Sequence, residues 1–240
     1  MRKCFFILMI LIGFAGTANA ESNIYVGGGM GFTSFDGDIL ITNDGSKKFV
    51  VGDRTYEIGG NFSGTDIAAK VFGGFKFSEY LAAEIAFHRF GGGTIRVNKD
   101  TVDIYNAFYD PNITAEETES SLDVLGLSGS LLGIIPLTDT FDVFAKIGIL
   151  HSWLSEDSFD ETGFTLLLGG GASIKITENF SIRAELEWAP DIANDHSDKT
   201  ERLFKGINKA LQNEVPGAGK LDYDVDLDII STTASLVWNF

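Results

Sequence analysis

The stretch Ser231-Thr232-Thr233-Ala234-Ser235-Leu236-Val237-Trp238-Asn239-Phe240 decides the fold. Ala234, Leu236, Trp238 and Phe240 share one face of an extended chain, and Ser231, Thr233, Ser235 and Asn239 share the other, with only Val237 out of pattern. Side chains of a strand alternate with period two, so one face of this segment meets an apolar medium. An apolar strand with no polar tail is unusual in water, where termini fray. It is expected of a strand that closes a barrel in lipid, with an aromatic at the interface.

Seven other stretches alternate in the same way, at about 23–35, 65–77, 80–91, 122–135, 141–153, 164–177 and 180–189, and the terminal one begins near 222. Ile67, Ala69, Val71, Phe75 and Phe77 share a face, as do Phe141, Val143, Ala145, Ile147 and Ile149. Eleven residues at roughly 3.3 Å each and a tilt near 40° span about 28 Å, whereas globular strands average about five or six residues. The length favours a membrane barrel over a soluble sandwich. No later segment is apolar over eighteen residues, so a membrane helix is not expected.

The connections alternate in length. Ser78-Glu79, residues 136–140 and Glu178-Asn179 read as tight turns; 36–64, 92–121 and 190–221 are long and polar, and 154–163 is shorter. All 4 prolines are expected in connections, because proline removes a ladder donor. Lys48–Val51 and Arg54–Ile58 read as a small hairpin above the membrane, with a ten-stranded barrel as the alternative. Residues 198–213 carry Leu203, Phe204, Ile207 and Leu211 at helical spacing, readable as a plug or as a loop folded on the barrel mouth.

Residues 1–20 have the make-up of a cleaved signal peptide: Arg2 and Lys3, an apolar run, then Ala18-Asn19-Ala20. The expected mature chain, 21–240, is the barrel. The single cysteine, Cys4, lies in the leader, so no disulfide or Cys-based metal site is expected. Without Arg2 and Lys3 the 18 basic residues become 16 against 34 acidic ones, a net charge of −18, which argues against nucleic acid as a partner.

Opposite the apolar positions lie charges of both signs: Asp66, Lys70, Lys76, Glu84, His88, Asp142, Lys146, Lys175, Arg183, Glu185 and Glu187. A barrel of eight strands has room inside only for side chains, so these groups must pair with one another or with trapped water. Glu84 is five residues past Glu79, Lys146 six past Thr140 and Arg183 four past Asn179. At about 2.5 Å of axial rise per residue their heads fall within roughly 5 Å of one level. The lumen network therefore comprises Glu84, Lys146, Arg183, Glu185, Glu187, Lys70 and His88. It reads either as a sealing polar core or as a charged gate for small ions.

The segment Phe72-Gly73-Gly74-Phe75-Lys76-Phe77-Ser78-Glu79-Tyr80-Leu81-Ala82-Ala83-Glu84-Ile85-Ala86-Phe87 resembles part of the outer-membrane protein A (OmpA-like) barrel. Thr138 to Gly148, Ile176 to Trp188, Tyr25-Val26-Gly27-Gly28 and the terminal strand resemble it as well. The Gly-Gly-aromatic and Arg-x-Glu-x-x-Trp patterns mark a superfamily that includes opacity-type and adhesin-type proteins, not one activity. The resemblance implies that the family's lumen glutamate and arginine correspond to Glu84 and Arg183, and a further basic position to Lys146. The family's second lumen lysine–glutamate pair has no counterpart: Ser128 or Ser130 and Ser173 stand there, so its gating exchange is not expected here. With Phe240 as the last residue, the family's periplasmic cell-wall-binding domain is not expected either.

No catalytic residues, metal or cofactor are expected. His151 and Ser152 are adjacent on a strand and point to opposite faces, His196-Ser197 lies in a loop, and no His-x-Ser occurs. Asp222, Asp224, Asp226 and Asp228 share a face, but i and i+2 carboxylates stand about 6.6 Å apart, too far to chelate one ion alone. They read as a solvated strand above the lipid. The Gly-Gly-Gly runs at 27–29, 91–93 and 169–171 precede no helix and read as small residues filling a narrow barrel.

The expected fold is all-β: an eight-stranded antiparallel up-and-down transmembrane β-barrel with short periplasmic turns and long extracellular loops, in the bacterial outer membrane. The expected role is structural or surface-interacting (adhesin-like) through acidic loops. Alternatives are a narrow ion-conducting porin and a lipid-modifying outer-membrane enzyme. Expected partners are outer-membrane lipid and lipopolysaccharide, host or cell-surface ligands at the loops, and the barrel-assembly machinery through a terminal strand bearing Leu236, Trp238 and Phe240.

Overall fold

The computed structural model describes residues 23–43, 48–51, 54–57, 59–97, 119–156, 159–192 and 221–240. The strands in chain order are β1 Ile24–Asn43, β2 Lys48–Val51, β3 Arg54–Glu57, β4 Gly59–Ser78, β5 Leu81–Val97, β6 Glu119–Pro136, β7 Phe141–Glu156, β8 Phe159–Lys175, β9 Phe180–Ala189 and β10 Leu221–Asn239. Eight of them form one closed antiparallel barrel in the order β1-β10-β9-β8-β7-β6-β5-β4. The β1–β10 ladder runs without interruption from Tyr25↔Asn239 to Asn43↔Leu221, and β1 pairs on its other side with β4. β2 and β3 pair only with each other, from Lys48↔Glu57 to Val51↔Arg54, so the barrel has eight strands and not ten.

The short turns are built from local polar contacts. Leu137 N–H donates to Phe141 O at 2.9 Å, and the Thr138 hydroxyl accepts from Phe141 N–H at 3.0 Å. Ile176 N–H donates to Phe180 O at 2.8 Å. Pro136 is the last residue of β6 and not part of the turn, a correction to the placement of every proline in a connection. A strand's last residue tolerates a missing donor. Residues 1–20, the helix-like stretch 198–213 and His196-Ser197 lie outside the described residues.

Most strands run further than their apolar alternation. β1 continues past residue 35 to Asn43, and β4 begins at Gly59 rather than near 65. The cause is a reversal in which face is apolar. In the lower part of each strand the apolar side chains point outward: Met30, Phe32, Ile67, Ile85, Ile149 and Leu236 are all more than half exposed. Such exposure on every barrel strand exceeds what water tolerates and matches a hydrocarbon belt. Above the belt the pattern inverts. Phe35, Phe62, Phe90, Leu154, Leu227 and Ile229 point inward and form one apolar core, while Asp36, Asp38 and Asp226 point out to solvent.

β5 carries a bulge just past the inward Phe90. The β4–β5 register shifts between Ser63 and Ala69, and the β5–β6 register between Arg89 and Gly91. Gly91 has φ +82°, a left-handed conformation that a side chain strains. Asp66 Oδ2 accepts from Gly92 N–H at 2.8 Å, and its Oδ1 accepts from Ile67 N–H at 2.7 Å, so one carboxylate pins the bulge. A Cβ on Gly91 would also sit 2.6 Å from Asp66 Oδ2. Gly91→Ala should therefore lower the unfolding free energy in lipid vesicles by about 1–3 kcal/mol; an unchanged urea midpoint would show that the bulge is not under this constraint.

Candidate functional site

The lumen layer comes from four strands. β4 contributes Lys70, β5 Glu84 and His88, β7 Lys146, and β9 the alternating set Arg183, Glu185 and Glu187. Alternation along β9 puts all three of its charges on the inner face. In the barrel order β5 and β9 lie on opposite walls, so the contacts below cross the lumen rather than following the sheet.

Glu84 is the shared acceptor. Its Oε2 takes a hydrogen bond from Arg183 Nη1 at 2.6 Å and from the Tyr25 hydroxyl at 3.1 Å, and its Oε1 takes one from Lys146 Nζ at 2.8 Å. Lys146 also bonds Glu187 Oε1 at 3.1 Å and forms an ion pair with Glu185. Lys70 bonds Glu187 Oε2 at 3.2 Å and pairs with Glu185. All seven network residues are buried, Arg183 being the most exposed at 6%. Three carboxylates thus face three basic side chains. This balance suits a low-dielectric lumen, where an unpaired charge is strongly unfavourable.

Aromatic rings line the floor of the layer. The Arg183 guanidinium lies 4.8 Å from the Phe72 ring centroid, 5.0 Å from that of Phe144 and 5.3 Å from that of Tyr25. Val237, the residue out of pattern in the terminal strand, packs inward with Tyr25, Leu132 and Phe144. Glycines make room for these rings: a Cβ on Gly74 would lie 2.2 Å from the Tyr25 ring, and one on Gly27 2.3 Å from the Phe72 ring. Overhead is the apolar core around Phe90, Leu150, Leu167 and Ile192. Ile192 follows the short β9 and tucks into the mouth. Its N–H donates to Leu227 O at 3.0 Å, and its carbonyl accepts from the Ser152 hydroxyl at 2.6 Å.

One arrangement could not be read from strand periodicity. His88 Nε2 lies 2.8 Å from Ser128 Oγ, and His88 Nδ1 lies 3.8 Å from Glu187 Oε2. Serine, imidazole and carboxylate thus stand in the order of a hydrolase triad, assembled from β5, β6 and β9. Ser128 and His88 are each only 2% exposed, and the His88 ring stacks on Phe90. His151 is on the outer face, stacked against Phe164 at 4.2 Å, and Ser152 is on the inner face. Among the described residues no group of His, Cys, Asp or Glu is arranged to hold a metal.

Leu236 and Trp238 face outward on β10, and Trp238 meets Phe180 edge-on at 6.4 Å. Phe240 follows the strand, its N–H donating to Ile24 O at 3.1 Å. Asp226 is exposed on the outer face, and Asp228 accepts from Trp188 Nε1 at 3.3 Å and Asp191 N–H at 3.1 Å.

Glu84 accepts from two cations and a phenol; Glu84→Gln should strand Arg183, which it pairs at 2.6 Å, while Lys146 keeps Glu185 and Glu187. The expected loss is about 3–5 kcal/mol, read from urea unfolding in lipid vesicles. A loss below about 1 kcal/mol would place Glu84 among solvated surface pairs instead.

Among the solved structures that share this fold are two outer-membrane proteins. The outer membrane protein OprG from Pseudomonas aeruginosa is 10% identical over 92% of this chain and 97% of that chain, with a TM-score of 0.53. The outer membrane protein AlkL, determined by solid-state NMR in lipid bilayers, is 10% identical over 93% of this chain and 94% of that chain, with a TM-score of 0.51. No curated protein matches the chain. A family model described as the OmpA-like transmembrane domain matches residues 19–235, which takes in seven of the eight barrel strands whole and most of β10. With that match and the closed eight-stranded topology together, the chain belongs to the OmpA-like transmembrane domain family of outer-membrane β-barrels.

Proposed function

We propose that this protein is a sealed outer-membrane barrel whose work is structural and surface-interacting, and that it neither conducts ions steadily nor catalyses a reaction. The observation that carries the reading is the filling of the lumen. An apolar core closes the extracellular side, a balanced ionic layer crosses the full diameter, and three rings surround Arg183 below it. An ion would have to displace Lys146 or Arg183 from Glu84 and then enter an apolar core, losing its hydration in both steps. The same filling denies substrate to the buried Ser128.

The extracellular end is the part of the barrel open to partners outside the cell. There the strands extend beyond the apolar belt, and Asp36, Asp38 and Asp226 face solvent on the adjacent strands β1 and β10. Such a surface favours a partner with basic groups, and attraction between them weakens with salt.

Purified barrel in a planar bilayer should show no steady conductance; stepwise ion-selective openings of the unmodified protein would overturn the sealed reading. Cells displaying the barrel should lose salt-sensitive attachment to host cells when Asp36, Asp38 and Asp226 are all changed to Asn. Attachment unchanged in that triple variant would remove this acidic surface from the interaction.

A further inference from the structure

The periplasmic end of the lumen differs from the balanced layer above it. Between the short turns the barrel opens into a cavity of about 330 Å³. Lys76 from β4, Lys175 from β8 and Arg183 from β9 line it, together with the hydroxyl residues Ser173 and Ser181. Leu132, Ile134 and Phe144 form an apolar wall. Its volume is at the lower end of the range for small-ligand pockets.

The charges here are paired unevenly. Arg183 is engaged by Glu84 in the network above, and its Nε is buried without a hydrogen-bond partner. Lys175 lies 3.8 Å from Asp142 and donates to Asp139 O at 3.3 Å. Lys76 donates to Asn239 Oδ1 at 3.1 Å and lies 5.8 Å from the Tyr25 ring centroid. Among the described residues no carboxylate stands within ion-pair distance of Lys76. Asp142 attracts it from further off, while Lys175 and Arg183 repel it. Glu79 lines the rim. Glu79 and Asp142 thus share the lining with Lys76 and Lys175, Arg183 is held from above by Glu84, and Lys76 is the cation left without a direct ion pair.

We propose that this periplasmic vestibule is a binding site for small oxyanions, phosphate or carboxylate, held between Lys76 and Lys175 beneath Arg183. An oxyanion accepts several charge-assisted hydrogen bonds at once, and ammonium groups and hydroxyls are the donors that recognise it. The phosphate has two possible sources, a soluble ion or the headgroup of an inner-leaflet phospholipid.

The test is amide NMR of the full barrel. One arm adds inorganic phosphate to the barrel in maltoside micelles, which contain no phosphate, and the other places the barrel in nanodiscs containing phosphatidylglycerol. The proposal expects saturable shifts confined to Asn23, Lys76, Ser173 and Ser181 in at least one arm, and the responding arm identifies the source. Lys76→Gln and Lys175→Gln should each weaken binding about tenfold, the size of one charge-assisted contact. The Lys175 side chain is 41% exposed, so its variant keeps the test open if Lys76→Gln fails to fold. No saturable shift in either arm, or shifts undiminished in the folded variants, overturns the proposal.

Discussion

A backbone amide in hydrocarbon has no water to bond, and each one left open costs several kcal/mol. Eight strands satisfy that demand only by closing on themselves, as β1 does with β10 on one side and β4 on the other. Closure at this size leaves a lumen just wide enough for side chains. Every inward polar group must then find its partner within the tube. The ion pairs are a consequence of that confinement. They also brace it, because the Glu84–Arg183 bond joins opposite walls that share no backbone contact.

Confinement also explains how far the sequence could be read. The eight strands were legible because the lipid belt imposes a strict outward alternation, and the inward charges were legible as its complement. Counting from the short turns put Glu84, Lys146 and Arg183 at one depth, and the three do touch. The upper halves of the strands were not legible for an equally physical reason. Above the belt the outer solvent is water, so the apolar face moves to the inside, at Phe35 on β1 and Phe62 on β4. A search for one continuous phase stops where the phase inverts, while the ladder hydrogen bonds continue regardless of which face is apolar. Val237 shows the same inversion at the other end of the barrel, since its inward side packs against rings rather than charges.

The lumen partners of Lys70 show what periodicity leaves open. Alternation places Glu185 and Glu187 inward but does not say which cation each meets, because that depends on register and shear around the whole circumference. The resemblance pointed to a second lysine–glutamate pair being absent, with Ser128 or Ser130 and Ser173 in its place. Those serines are indeed neutral, yet the lumen is no poorer in carboxylates, because β9 carries two that reach Lys70 and Lys146. Charge is kept in balance across the tube even where individual positions change.

That balance bears on the histidine. Glu84, Glu185 and Glu187 are matched by Lys70, Lys146 and Arg183, so no further positive charge is called for at His88. A neutral imidazole needs one donor and one acceptor contact, and Ser128 lies within hydrogen-bond distance while Glu187 sits on the ring's other side. The triad-like order of serine, histidine and carboxylate therefore follows from satisfying a buried ring inside a polar tube. Catalysis would demand in addition an open approach to Ser128 and donors waiting for an oxyanion. The Phe90 ring stacked on His88, with the apolar core above it, occupies the space that approach would need.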